Sequence, residues 1–233
     1  MKTIIYSTAL LFLLSCGNHS TEESTTETAR TSQSIDKKTS GCFEKFDDRY
    51  DELLTRSDIE EILSIDDASY QMETSSYGSA QHQWNSDRPD LEYNIAGQSI
   101  KGPDRNRIVI KNLNFYDSTD ADEIMGNFDT SYKKLTQEEY DQLLSNLEKN
   151  YENDAAGLER AKGFLDARLN LEFESLNGLG DAAYWKWDEQ HGIELVVLVG
   201  NTYFIIENKP AVTKEENLEI ARQLAEKVIE KCM

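Results

Sequence analysis

Three histidines, two loops with ligand-like composition and a group of aromatic side chains are the places where this chain could do chemistry. His82 lies two residues from Trp84, so on a strand the pair shares one face. A zinc ligand or general base needs partners at fitting distances, and none stands near His82 in sequence. His191 precedes Gly192 in a turn-like stretch, and His19 sits among Ser and Thr. The run from Asp117 through Asp120 and Asp122 to Glu123 has the oxygen density of a calcium loop. It lacks glycine at the sixth position and glutamate at the twelfth, where Phe128 stands. It reads as a solvated acidic loop. Gly178-Leu179-Gly180-Asp181 has the look of a phosphate loop, but a strand pattern follows it rather than a helix, so it reads as a turn. No nucleophile elbow, paired-histidine zinc motif or glycine-rich phosphate loop occurs after residue 16. No catalytic residue, metal or cofactor is therefore expected. Trp84, Trp185 and Trp187, with Tyr184, form the one aromatic grouping with site potential. Alternation puts Trp185 and Trp187 on one face and Tyr184 on the other. Packing beneath a helix is the first role for these tryptophans. A ligand-facing cleft involving His82, Trp84, Trp185 and Trp187 is the second.

The cysteines carry a different chemistry. Cys16 follows Leu13-Leu14-Ser15 and precedes Gly17, at the end of an apolar run that begins at Ile4 behind Lys2. That is the layout of a secretory signal peptide, and the run is too short to span a bilayer. Leu-Leu-Ser-Cys resembles the bacterial lipobox, in which cysteine is acylated and becomes the new N-terminus. Several acyl chains on one residue give stable attachment to a membrane. Gly17 stands where inner-membrane lipoproteins often carry Asp, which points to the outer membrane. The expectation is a cell-envelope protein, lipid-anchored at Cys16, on the periplasmic or surface face. Cys42 and Cys232 then remain as an even pair in an oxidising compartment, at the two ends of the domain. They are expected to form one disulfide, with two free thiols as the alternative.

Residues 1–15 read as the signal peptide and 16–40 as a lipidated cysteine followed by a Ser/Thr/Glu-rich tether. The tether has no Trp, Tyr or Phe, and Ile35 is its one large aliphatic residue, too little to bury. Residues 41–233 read as a single domain. The chain carries a net charge of −20, and the segment 41–233 carries the same value. Such a domain repels phosphate backbones, so nucleic acid is excluded as a partner, and anionic lipid headgroups are poor partners for its surface.

Candidate sites must be held by the elements around them. Ile59, Ile62 and Leu63 make a short helical face, opened by Ser57 with Glu60 or by Thr55 with Asp58. Residues 68–100 are poor in aliphatics and read as weak strands and long loops. Residues 107–116 read as a strand. Thr136 and Glu139 form a capping box before Tyr140, Leu143, Leu144, Leu147 and Tyr151. Leu158, Ala161, Leu165 and Leu169 mark a second helix, separated at Asn153 and Asp154. Residues 193–199 are almost wholly apolar, as in a strand covered on both faces. Gly200-Asn201 is a two-residue hairpin turn returning through 202–207. After Pro210, Thr213 and Glu216 open a last helix with Leu218, Ala221, Ala225, Val228 and Cys232 on one face. The fold class is α+β: an antiparallel β-sheet flanked by helices, with a C-terminal β-hairpin and a closing amphipathic helix.

Cys42 with Leu53-Leu54-Thr55-Arg56-Ser57-Asp58 early, and Gly178-Leu179-Gly180-Asp181-Ala182-Ala183-Tyr184-Trp185 late, resemble uncharacterised bacterial lipoproteins with a PsbP-like α/β sandwich. The resemblance covers the two ends, roughly half the domain. It implies a binding or assembly module rather than an enzyme, and carries over no functional residue. The expected function is a lipid-anchored envelope protein whose soluble domain binds a partner protein or small ligand. The alternative is an envelope hydrolase with dispersed catalytic residues, which requires His82 or His191 beside Ser, Asp or Glu in a pocket.

Overall fold

The computed structural model describes residues 41–95 and 97–233, so the expected signal peptide, the expected lipidation at Cys16 and the expected tether lie outside the described residues. Nine strands form among the described residues: β1 (Gln71–Ser75), β2 (Ser79–Asn85), β3 (Leu91–Ile95), β4 (Gln98–Gly102), β5 (Arg105–Phe115), β6 (Glu174–Ser175), β7 (Ala182–Asp188), β8 (Gly192–Val199) and β9 (Thr202–Asn208). Seven form one sheet in the order β1-β2-β5-β9-β8-β7-β6, and every pairing in it is antiparallel. Strands β3 and β4 make a separate ribbon. The expected trio holds: 193–199 pairs with both 202–207 and 182–188. The middle of the seven is β9, one strand over from the expected centre at 193–199.

Six α-helices accompany the sheet among the described residues: α1 (Tyr50–Leu53), α2 (Arg56–Glu60), α3 (Ala121–Tyr132), α4 (Gln137–Asn150), α5 (Ala155–Leu169) and α6 (Lys214–Glu230). One sheet face packs against α6 and the N-terminal segment. Ile110, Phe204, Leu195 and Trp185 meet Leu224, Val228, Phe43 and Leu53 there. The other face is covered at one end by α3, where Ile124 and Phe128 lie on Tyr184, Val196 and Ile205. Residues Ile193, Leu195, Val196, Val197 and Leu198 are all at or near zero exposure, which explains the unbroken apolar run of β8. Each such large side chain contributes about 1.5–3 kcal/mol through burial.

Caps set the helix starts. The Thr55 hydroxyl accepts from the Asp58 N–H, and Asp58 reaches back to the Thr55 N–H at 2.7 Å. The structure thus selects Thr55 over Ser57. Thr136 and Glu139 make the expected box. The acidic run 117–123 ends differently from expectation. Asp120 accepts from the N–H groups of Asp122 (2.9 Å) and Glu123 (3.2 Å) and caps α3. These carboxylates favour a helix N-terminus through the dipole, which the loop reading overlooked. In β5 a bulge between Lys111 and Asn114 centres on Asn112, at φ 54°. Asn tolerates that region. The extra residue reverses the side-chain alternation, so Leu113 joins Ile108 and Ile110 in the core.

Cys42 and Cys232 form a disulfide with Cα atoms 5.4 Å apart. Beside it, Lys231 pairs with Asp58 at 2.6 Å and donates to the Glu52 carbonyl at 2.9 Å.

Candidate functional site

The loop leaving β2 turns at once. The Ser86 hydroxyl accepts the Arg88 N–H at 3.2 Å and donates to the Asp104 carbonyl, so the two ends of the 86–104 excursion are tied together. This brings the Arg88 side chain across the start of β5. Its Nε donates to Asp104 Oδ2 at 2.8 Å and its Nη1 to Asn106 Oδ1 at 2.8 Å. Its Nη2 donates to the Arg105 carbonyl at 2.9 Å and to Asp104 Oδ1 at 3.3 Å. Lys209 arrives from the end of β9, where its N–H donates to the Arg107 carbonyl at 2.9 Å. Its ammonium stands 3.6 Å from Asp104 Oδ2 and 3.4 Å from the Gln190 carbonyl.

Above these groups opens a cleft of about 810 Å³. Arg88, Asp104, Asn106 and Lys209 form its floor, and Trp187, Pro210 and Val212 form an apolar wall. Asp87, Asp90 and Glu189 are acidic residues of the lining and are exposed. The three charged side chains of the floor are only 13%, 7% and 11% exposed for Arg88, Asp104 and Lys209. Burial pushes the Asp104 carboxyl up. The hydrogen bonds and charge of Arg88, followed by the charge of Lys209, outweigh it and hold the group below the usual carboxylate range. Two cations share one anion on the floor, while four carboxylates face two cations over the whole lining.

Of the four residues expected to face a ligand, the structure places Trp187 in this cleft. It is half-buried, with its inner part against the core. Trp185 is on the same strand face, as alternation requires, but it is buried beneath α6, with Lys214 Nζ 5.4 Å from its ring centre. Trp84 and His82 do share a face, and it is the core face. His82 is 1% exposed; its Nδ1 lies 2.7 Å from the Tyr70 hydroxyl and its Nε2 lies 3.0 Å from the Leu54 carbonyl. The carbonyl only accepts, so Nε2 carries the proton and Nδ1 accepts from Tyr70. Burial lowers the His82 pKa and keeps the ring neutral. His82, Trp84 and Trp185 are therefore core side chains and do not line the cleft.

His191 has an acidic neighbour, Asp188, 2.8 Å from its Nδ1, but both are well exposed. The same carboxylate accepts the N–H groups of Gln190 (2.9 Å) and His191 (2.7 Å), which makes it the organiser of the β7–β8 turn. The 178–181 motif is also a turn. A Cβ on Gly180 would lie 2.4 Å from the Leu198 carbonyl, and its φ of 58° favours glycine. Asp181 accepts the Gly200 N–H at 2.6 Å and locks the tip of the β8–β9 hairpin. Among the described residues no group of three or more His, Cys, Asp or Glu side chains could hold a metal, and no helix is long and apolar enough to cross a membrane.

Sequence reasoning missed Arg88, Asp104 and Lys209. They share no local spacing, because the fold brings them together from three strand ends. The available signal was a lysine directly after the buried central strand, where a charge needs a partner.

Comparison of the chain with protein-family models, with curated proteins and with solved structures returns no match.

Proposed function

We propose that this protein is a lipid-anchored cell-envelope protein whose α+β domain is a non-enzymatic binding or assembly module, with the Trp187 cleft as its ligand seat. The observation that carries this reading is the state of the cleft floor. Arg88, Asp104 and Lys209 are engaged with one another, and Asp104 is held ionised. A general acid or base works best with a pKa near the working pH. A carboxylate held well below it suits a rigid recognition surface. Trp187 adds a broad apolar platform, and Val212, 75% exposed, extends it. Anchoring rests on Cys16 within Leu13-Leu14-Ser15-Cys16-Gly17, and the resemblance to PsbP-like lipoproteins points the same way.

Two measurements test the two halves. Cys16→Ala should move the protein from the membrane fraction to the soluble fraction; unchanged membrane association refutes the anchor. A photo-crosslinking residue at position 212 should acquire adducts in envelope preparations, read as a mass shift on the intact protein. The same probe at Leu143 on α4 is the control. Equal labelling at the two positions refutes the cleft as the seat.

A further inference from the structure

We infer that the cleft captures the free C-terminal carboxylate of a short peptide, with Lys209 binding the carboxylate and Trp187 supporting the last side chain. This rests on the cleft being the ligand seat.

The two floor cations differ in what they have left to give. All three Arg88 nitrogens donate to Asp104, Asn106 or the Arg105 carbonyl, at 2.8–3.3 Å. Four of its five N–H groups are spent within the fold, so the guanidinium acts mainly as scaffold. Lys209 has three N–H donors, and its two partners stand at 3.4 and 3.6 Å. Those distances are too long for strong bonds. Lys209 lines the cleft, its side chain is 11% exposed, and the floor carries one positive charge in excess of Asp104. An incoming carboxylate would meet a fixed, largely desolvated charge, where an ion pair is stronger than in water.

The remaining lining narrows the ligand. Asp87, Asp90 and Glu189 repel a small bare anion, so the carboxylate must arrive on a larger body. The volume of about 810 Å³ lies in the range that takes ligands of drug size, larger than a single carboxylate needs. Trp187, Pro210 and Val212 fit an aromatic or large aliphatic terminal side chain. The acidic residues then favour a basic residue just before it. A peptide ending in a basic and then an aromatic residue meets all three demands, by the carboxylate-capture mode of peptide recognition.

The test uses calorimetry on the mature full chain with Gly-Lys-Phe as free acid, its C-terminal amide, and Gly-Glu-Phe as free acid. The free acid should bind, and the amide should bind on the order of tenfold or more weakly, the worth of a charged hydrogen bond. Gly-Glu-Phe should bind severalfold more weakly than Gly-Lys-Phe. Lys209→Met leaves the Arg88–Asp104 pair in place, so the fold should survive, confirmed by an unchanged circular dichroism spectrum. In that variant the acid and amide should bind alike. Equal binding of acid and amide to the native protein overturns the carboxylate assignment but leaves the cleft as a seat. Absence of binding by all three peptides also overturns it, and the crosslinking at position 212 then judges the broader reading independently.

Discussion

Replacing Asp104 with alanine removes the one carboxylate between two cations. Arg88, Asp104 and Lys209 are 13%, 7% and 11% exposed, so the cations would be left largely desolvated. Deleting one partner of a buried pair costs about 3–5 kcal/mol. The floor keeps some solvent access through the cleft, and Arg88 retains Asn106 and the Arg105 carbonyl, so the lower end applies, about 3 kcal/mol. For a domain of 150–250 residues each kcal/mol shifts Tm by about 2–4 °C, giving a fall of roughly 6–12 °C. Urea denaturation of native protein, Asp104→Ala, Arg88→Met and the double variant would measure it. Arg88→Met should cost less in the Asp104→Ala background than alone, because the shared interaction is already gone. A loss below about 1 kcal/mol for Asp104→Ala, with additive single effects, would show that the floor is effectively solvated and would refute the reasoning.

Reduction of Cys42–Cys232 releases a loop spanning 190 positions, and the chain-entropy relation sets an upper value of about 5 kcal/mol. Thermal melts with and without reductant should show a clear fall in Tm, and coincident melts would contradict it. His82 has a folded pKa lowered by burial, so its stabilising contribution is present above about pH 6.5 and is lost as pH falls through the folded value. Stability should drop between pH 7.5 and 5.5, and His82→Gln should flatten that slope; parallel pH curves would count against this. Gly180→Ala combines positive φ with a clash on the Leu198 carbonyl and should cost about 1–3 kcal/mol, checked by denaturation against Gly163→Ala, a position with open space.

The C-terminal half was legible because β8, the Gly200-Asn201 turn, β9 and α6 each carry one dominant signal. Residues 71–75 gave none, since every residue of β1 is exposed and no apolar face alternates. Helix α3 was hidden because it buries only Ile124 and Phe128, too few to set a period. Trp187 was legible as part of an aromatic grouping, but alternation alone could not separate it from Trp185. What separates them is where α6 runs: it covers Trp185, while Trp187 sits further along β7 at the cleft. The ion network of the floor joins residues 16 and 105 positions apart, Arg88 to Asp104 and Asp104 to Lys209, and no local rule couples such distances.

The bond between Cys42 and Cys232 also fixes a path for force. Tension applied at residue 41 enters the domain at Cys42 and crosses covalently into the end of α6. The segment 43–63 then shares the load with the end of α6 rather than carrying it alone. Without the bond the same pull would peel that segment from the sheet a residue at a time. With it, the helix that plugs one sheet face must be extracted as a unit, against Ala221, Leu224, Ala225 and Val228 together. Lys231 on Asp58 and Lys227 on Glu61 brace the junction from the side. Pulled at its first residues, the domain resists unravelling at them.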